Sequence, residues 1–297
     1  MRLEGIAPAK INLYLDVLDK MDNGYHNIES VMQSISLADK LTLELVKSEG
    51  ENAIEIITST DVIPNDERNL VYKATSLFID YANKKHKAKI NGTKFVFNIE
   101  KNIPVSAGMA GGSSDCACAL RLLNSAYDNI LKENELFDIG SSIGADVGFC
   151  LIGGTCECRG NGSKIKTLTP FRDVPLVCAI DSSSISTPCA FKMLDERYGT
   201  HSRASRIFEV FTGAINQGAG SKRICSLLFN KFEHVIIPTN ETIQKIKDTL
   251  LQNGAVGALM SGSGPSVFGI FETEEAQNKA YNALKELNIN AFLCKTL

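Results

Sequence analysis

No stretch of this sequence approaches the roughly 18 consecutive apolar residues that build a membrane-spanning helix. Its opening, MRLEGIAPAKINLYLDVLDK, has neither a continuous apolar segment nor a small-residue cleavage site, so neither a secretory leader nor a membrane partner is expected. Basic clusters and acidic tails are also missing. The formal net charge is −3, with both signs spread along the chain, which leaves no footprint for a nucleic acid. An anionic substrate must then be met by local dipoles and single lysines. There are nine cysteines but no C-x-x-C pair; Cys116/Cys118 and Cys156/Cys158 are spaced C-x-C, mostly among Ala, Leu, Gly and Val. An odd count without a leader points to reduced thiols that pack as small hydrophobes in a cytoplasmic protein, rather than to disulfides or zinc.

The common nucleotide-binding signatures are absent as well. No run fits the Walker pattern G-x-x-x-x-G-K-[ST]. SGSGPSVFG has Gly262 and Gly264 but runs into a strand-like segment, with Pro265 blocking the helix that a Rossmann fingerprint must open. The H-R-D and D-F-G elements of protein kinases do not occur, and there are no internal repeats or low-complexity linkers.

What is present is a chain of 297 residues, 44% hydrophobic and 22% charged, enough for two medium domains with real cores. KINLYLDV places Ile11, Leu13, Leu15 and Val17 on one face of a strand and Lys10, Asn12, Tyr14 and Asp16 on the other. KLTLELV and KFVFNIE alternate likewise. NLVYKATSLFIDYANKK has helical spacing, with Leu70, Ala74, Leu77 and Tyr81 along a stripe. SDCACALRLLNSAY is a second helix, with Ala117, Leu120, Leu123 and Tyr127 at its intervals, Ser113 or Ser114 as N-cap, and Asp115 at the positive end of its dipole. ELFDIGSSIGADVGFCLIGGTCECRGNG reads as helix, small-residue turn and strand. The style changes near Gly160–Lys166. VPLVCAID is a buried strand, followed by helices of which ASRIFEVFTGAI is the clearest. TNETIQKIKDTLLQNG is capped by Thr239 or Asn240 and stopped by Gly254; AVGALMSGSGPSVFGIF is two strands around a glycine turn; TEEAQNKAYNALKELN is a second capped helix and INAFLCKTL a last strand. Strand, helix, hairpin, helix, strand fits a ferredoxin-like sandwich. The expected division is a sheet-rich domain over residues 1–163 and a ferredoxin-like domain over 164–297.

Four stretches could carry chemistry. IPVSAGMAGGSSD, between a strand and a helix, has small residues that would let a phosphate reach the amides of a helix N-terminus; Gly108, Gly111 and Gly112 give access, and Ser113 and Ser114 add hydroxyls. Glycine-rich strand-to-helix turns also serve plain packing. Lys10 and Asn12 share the polar face of an early strand, which could line a cleft or be solvated. Asp146, in IGADVGFC, is either a turn or cap residue or a carboxylate whose charge a lysine holds. Tyr25 and His26 follow an Asn23-Gly24 turn, where an aromatic pair can decorate a surface or stack on a planar base.

Their order adds meaning. PAKINL at the start, PVSAGMAGGSSD a third of the way in and SGSGPSVF near the end resemble the three motifs of the GHMP kinase superfamily. APAKINLYLDVLDKMDNGYHNIESVMQSISLAD, IGADVGFCLIGGT and SSSISTPCAF resemble, within it, the 4-diphosphocytidyl-2-C-methyl-D-erythritol kinases of the non-mevalonate isoprenoid pathway, so that the resemblance spans nearly the whole chain. It implies an α+β, two-domain fold: a ribosomal protein S5 domain 2-like N-terminal ATP-binding domain and a ferredoxin-like C-terminal domain. It also implies ATP and Mg²⁺, and transfer of the γ-phosphate to the 2-hydroxyl of a cytidine diphosphate-linked methylerythritol. By the same resemblance Lys10 and Asp146 are the catalytic pair. Pro104, Val105, Ser106, Ala107, Gly108, Met109, Ala110, Gly111, Gly112, Ser113 and Ser114 are the ATP phosphate loop, with Asn69 and Lys101 near the adenosine. Asn12, Tyr25, His26, Thr187 and Phe191 line the substrate pocket, the aromatic ones at the cytosine.

This division of labour suits phosphoryl transfer, in which a protein mainly positions reactants and stabilises charge. Asp146 would take the hydroxyl proton, and Lys10 would keep that carboxylate ionised. Gly148 stands where the family usually has proline, which is expected to loosen the backbone beside Asp146; Cys116 and Cys118 stand where alanines are common. The rivals are another superfamily kinase acting on mevalonate or homoserine, which have no base to stack on Tyr25, His26 and Phe191, and a non-catalytic nucleotide-binding protein of the same fold, against which the presence of both Lys10 and Asp146 argues. A monomer or homodimer is expected.

Overall fold

The computed structural model describes residues 1–181, 185–200 and 205–297; Ser182–Ser184 of SSSISTPCAF and Ala204 of ASRIFEVFTGAI lie outside them. Two long strands, β1 (Arg2–Lys20) and β2 (His26–Lys47), open the chain. What reads in the sequence as separate short alternating runs is continuous, because no glycine or proline interrupts residues 26–47. The chain packs as two compact units: Met1–Ala9, Ala38–Val105 and Ala110–Ile152 form the first, and Lys10–Leu37, Ser106–Met109 and Gly153–Leu297 the second.

In the first unit, β3 (Ala53–Thr58) precedes α1 (Leu70–His86) and β4 (Thr93–Glu100). β4 lies parallel to β3 and antiparallel to the end of β2, with Lys40 opposite Glu100. Then come α2 (Gly111–Ala126), α3 (Glu133–Ile143) and α4 (Ala145–Ile152). α1 buries Val71, Ala74, Thr75, Phe78, Ile79 and Ala82, while Leu77 is exposed. The expected stripe through Leu70 and Leu77 was thus rotated by about one residue, since Phe78 brings more apolar area to the core than Leu77. The small-residue turn expected around Asp146 is instead the start of a helix: only Gly144, with extended backbone, separates α3 from α4.

The second unit contains β5 (Thr155–Gly160), β6 (Lys164–Thr167), β7 (Pro175–Ile180), α5 (Thr187–Tyr198), α6 (Arg206–Asn216), α7 (Ser221–Cys225), β8 (Phe229–Asn230), α8 (Glu233–Ile236), α9 (Glu241–Gln252), β9 (Gly257–Met260), β10 (Ser266–Ile270), α10 (Glu274–Glu286) and β11 (Asn290–Lys295). β5 pairs antiparallel with β2, Ile28 opposite Gly160, and β8 pairs parallel with β1, Tyr14 opposite Phe229. The second sheet runs β11-β7-β10-β9, all antiparallel. With α9 and α10 as its crossovers this is the ferredoxin-like order expected from the sequence. Its core joins Val177, Ala179 and Val267 of the sheet to Ile243, Ile246 and Leu250 of α9 and Ala280 and Leu284 of α10. Asn240 caps α9 by accepting from Ile243 N, and Thr273 caps α10 by accepting from Ala276 N. All nine cysteines are free thiols. Among the described residues no helix is long and apolar enough to cross a membrane.

Candidate active site

The glycine loop leaves β4 through Lys101–Ile103 and enters α2 at Gly111. α2 has no side-chain cap: its N-cap is Ala110, in left-handed backbone, and Ser114 Oγ donates to Pro8 O at 2.7 Å instead. The expected serine cap is corrected here, because Ser114 lies one turn inside the helix. The first amides of α2 are therefore left to whatever anion the loop receives. The three glycines are not equivalent. Gly108 has φ +74°, and a Cβ on it would stand 2.5 Å from Ser261 O. Gly111 could not carry a Cβ without meeting Ile103 Cγ2 at 3.1 Å and Lys101 Nζ at 3.3 Å. Gly112 is exposed, and a Cβ there would meet nothing closer than Leu70 Cδ1 at 3.9 Å. The fold itself requires Gly108; at Gly111 the neighbouring side chains would have to give slightly, and Gly112 is the barest of the three.

Lys10 is not solvated. It is 4% exposed, and Asn12, Tyr14 and Asp16 beside it are buried too, so that β1 is covered on both faces. The second cover comes from far along the chain, as Phe208, Phe211 and Phe229 pack on the Tyr14 ring. Buried polar groups must then satisfy one another. Lys10 Nζ donates to Asn12 Oδ1 at 2.8 Å, Asn12 Nδ2 to Ser30 Oγ at 2.9 Å, and Ser30 Oγ to Tyr14 O at 2.7 Å. Because an ammonium can only donate, this chain fixes which end of the Asn12 amide faces Lys10. The backbone is tied to the glycine turn of the third motif: Lys10 N donates to Met109 O, Asn12 N to Ser261 Oγ, and Ser261 Oγ to Gly108 O. Asn230 Nδ2 steadies that turn through Met260 O and Gly262 O.

Asp146 lies in the first turn of α4, half-buried. Arg121 of α2 donates to Cys150 O and Leu151 O at the far end of that helix. Gly148 does not loosen it. A Cβ at this position would come within 2.8 Å of Ser141 Oγ and 3.1 Å of the Phe137 ring, so the glycine lets α4 lie directly on α3. Lys10 belongs to the second unit and Asp146 to the first.

At the expected cytosine end, Tyr25 stands 64% exposed after a turn in which its N–H donates to Asn23 Oδ1. His26 is buried and stacks on Phe191, centroids 4.8 Å apart and planes 15° from parallel, while Phe232 meets Phe191 edge-on. Asp195 holds His26 Nε2 at 2.7 Å and Lys20 at 2.8 Å; despite partial burial those two partners keep its carboxyl below the usual range. Thr187, at the start of α5, has its hydroxyl 2.9 Å from Ser263 Oγ. Thus His26 and Phe191 come together, and Thr187 joins the third motif.

The two residues expected near the adenosine are occupied structurally. Asn69 caps α1 by accepting from Val71 N and donates to Pro64 O. Lys101 is buried, and its ammonium bridges Asp39 and Asp115. Asp39, Ser30, Asp195 and Ser261 were missed as contributors. Ser261 alone had a signal, its place in SGSGPSVF; the others act through contacts that no local pattern announces.

Comparison with known proteins sets this geometry in a family. Residues 69–154 match the GHMP kinases N terminal domain and residues 215–290 the GHMP kinases C terminal domain. A 4-diphosphocytidyl-2-C-methyl-D-erythritol kinase of Clostridium botulinum is 37% identical over 294 residues, covering 98% of this chain and 99% of that protein. One of Enterococcus faecalis is 42% identical over 293 residues, covering 98% of each. A crystal structure of a 4-(cytidine 5'-diphospho)-2C-methyl-D-erythritol kinase superimposes with a TM-score of 0.79 at 28% identity, over 99% of both chains.

Proposed function

The chain belongs to the GHMP kinases, and within them to the 4-diphosphocytidyl-2-C-methyl-D-erythritol kinases; on that premise we propose that it transfers the γ-phosphate of ATP to the 2-hydroxyl of 4-diphosphocytidyl-2-C-methyl-D-erythritol. It is an ATP-dependent small-molecule kinase, and the full-length likeness to proteins of that one name carries the choice of substrate. The same proposal includes a domain boundary near residue 163, supported by family domains that end at 154 and begin at 215. It places the reaction in the cytoplasm, in keeping with nine free thiols, in a monomer or homodimer without a nucleic-acid partner.

In this reading Pro104 to Ser114 hold the ATP phosphates. The uncapped amides at the start of α2 meet their charge, and Gly112 is the point of closest approach. Asp146 accepts the proton of the 2-hydroxyl as the substrate oxygen bonds to the γ-phosphorus and the bond to the β,γ-bridging oxygen breaks, releasing ADP. Lys10 stabilises the developing alkoxide charge; its support is an ammonium held by a buried hydrogen-bonded chain, which needs little reorganisation during the reaction. Asn12 is assigned to that chain, Asn69 and Lys101 to the adenosine side, and Tyr25, His26, Thr187 and Phe191 to the cytidine. The stack of His26 on Phe191 supplies a planar surface suited to a base.

Among the described residues no group of three or more His, Cys, Asp or Glu could hold a metal alone. In the proposal Mg²⁺ arrives on the nucleotide, since this ion is commonly bound by phosphates, water and one or two carboxylates. When bound, it neutralises charge on the phosphates.

ADP release by the purified protein tests the proposal. Turnover with the cytidine-linked alcohol and none with mevalonate or homoserine is the expected result; the reverse would remove the substrate assignment. Asp146→Asn should lower kcat by about 100-fold or more while leaving ATP binding within a few-fold. An unchanged kcat would remove Asp146 as the proton acceptor.

A further inference from the structure

Beneath the glycine loop lies a buried charge cluster around Lys101, a residue assigned above to the adenosine side but given no step in the reaction. Lys101 Nζ meets Asp39 Oδ2 and Asp115 Oδ2, the latter at 2.7 Å, and the three side chains are 6%, 0% and 3% exposed. Asp39 Oδ1 also accepts the N–H groups of Asn102, at 2.6 Å, and Ile103, at 2.8 Å, the last residues before the loop. Asp115 Oδ1 is buried without a hydrogen-bond partner. One ammonium lies between two buried carboxylates, so a second negative charge there is costly unless Asp115 holds a proton. Buried ion groups of this kind are poor stabilisers compared with apolar side chains of the same volume. A cluster that contributes little to stability is better explained by what it holds in place.

Its members sit on the two stems of the loop. Lys101 belongs to the stem that leaves β4, and Asp115 lies one turn into α2, where the loop ends. Gly111, the first residue of α2, lies against both Lys101 Nζ and Ile103, so a side chain at that position would press on this stem. The span between them, Ser106–Met109, belongs to the second unit and has Ser106 in left-handed backbone, and Ala110 follows in the same region.

We propose that Lys101 is a positioning residue for ATP: by tying Asp39 to Asp115 it clamps the two stems of the phosphate loop and sets the direction in which the first amides of α2 point. This rests on the reading of the loop as the ATP site. Lys101 touches neither phosphate nor base in this role. Its removal lets the start of α2 shift against Ile103, and displacements of that scale cost a bound phosphate its aligned donors.

The test compares Lys101→Met, Lys101→Arg and Gly111→Ala with the native chain in steady-state kinetics and in direct ATP binding. Lys101→Met should raise KM for ATP and weaken ATP binding by about tenfold or more, with KM for the alcohol changed by less than about threefold. Lys101→Arg, whose fork can span two carboxylates, should recover most of that loss. Gly111→Ala keeps every charge and helical backbone at the first position of α2, yet it presses on Lys101, and it should give the same ATP-selective defect even if Lys101→Met folds poorly. Unchanged ATP affinity in Gly111→Ala, or a loss that falls equally on both substrates, overturns the clamp. A native chain that turns over the alcohol while these variants keep normal ATP affinity leaves the kinase reading standing and the clamp refuted. A native chain that binds no ATP overturns both.

Discussion

At the residue scale, the glycines of the loop separate structural need from ligand access. Gly108 and Gly111 face protein atoms, whereas Gly112 faces almost none. Gly112→Ala should therefore leave the melting temperature unchanged or raise it, since alanine in a helix is favoured over glycine by up to about 1 kcal/mol. The same variant should raise KM for ATP by about tenfold, because the added methyl occupies the approach of the phosphate. A calorimetric scan beside an ATP titration checks both; a lower melting point with a normal KM would place the phosphate elsewhere. Lys10 illustrates what a sequence conceals at this scale. Its strand alternates clearly, and alternation alone reads as one buried and one wet face. The wet face is covered by Phe208 and Phe211, some 200 residues on, so that Lys10, Asn12 and Ser30 must satisfy one another.

At the scale of elements, α3 and α4 set Asp146. α4 is short, pinned by Arg121 at its C-terminal end and pressed onto α3 at Gly148. Gly148→Ala should force α4 away from Ser141 and Phe137, costing about 1–3 kcal/mol by overpacking and lowering kcat more than it raises either KM. Denaturant unfolding together with kinetics would show this, and a variant with native stability and kcat would mean that α4 yields without moving Asp146. Elements whose ends are local were legible in advance. Asn240 and Thr273 cap their helices with their own side chains, and the β9–β10 turn carries its glycines on display. Ser114 misled as a cap because its hydroxyl is bonded 106 residues away, at Pro8. The two-residue β8 was not legible, as nothing in so short a stretch distinguishes it from a loop.

For the molecule as a whole, the buried carboxylates decide how stability varies with pH. Burial pushes the Asp115 carboxyl up to about 7, Lys101 opposing and Asp39 assisting, and burial also raises Glu29 against the pull of Arg159. Such groups hold a proton more tightly folded than unfolded, so stability declines as pH rises from the ordinary carboxylate range toward the folded pKa. Glu135 is the opposite case: Lys85 and the Lys132 amide hold it down to about 2, and its contribution is present above pH 4.5 and lost as pH falls toward 2. Asp195 acts in the same sense. The melting temperature should therefore peak at roughly pH 4 and fall on both sides. Asp115→Asn should flatten the decline between about pH 5 and 7, as a pH series of thermal melts would reveal; an unchanged slope would mean that Asp115 is ionised throughout. The fold order could be read beforehand, and the glycine loop, Lys10 and Asp146 could be named as candidates. The cluster of Asp39, Lys101 and Asp115 could not, because its partners are 62 and 14 residues apart and only the folded chain brings them together.

The interleaving of the two units also bears on how the chain is made. β1 is synthesised well before its partner β8, Phe229–Asn230, and Ile35 of β2 well before Thr296, to which it bridges. At about 5–20 residues per second, the early strand waits on the order of tens of seconds for those partners to be synthesised. During that interval Ile11, Leu13 and Leu15 lack their final cover, and an exposed apolar strand edge of this length is a template for aggregation. Translation speed and chaperone supply should therefore limit the yield of native protein more than its final stability does.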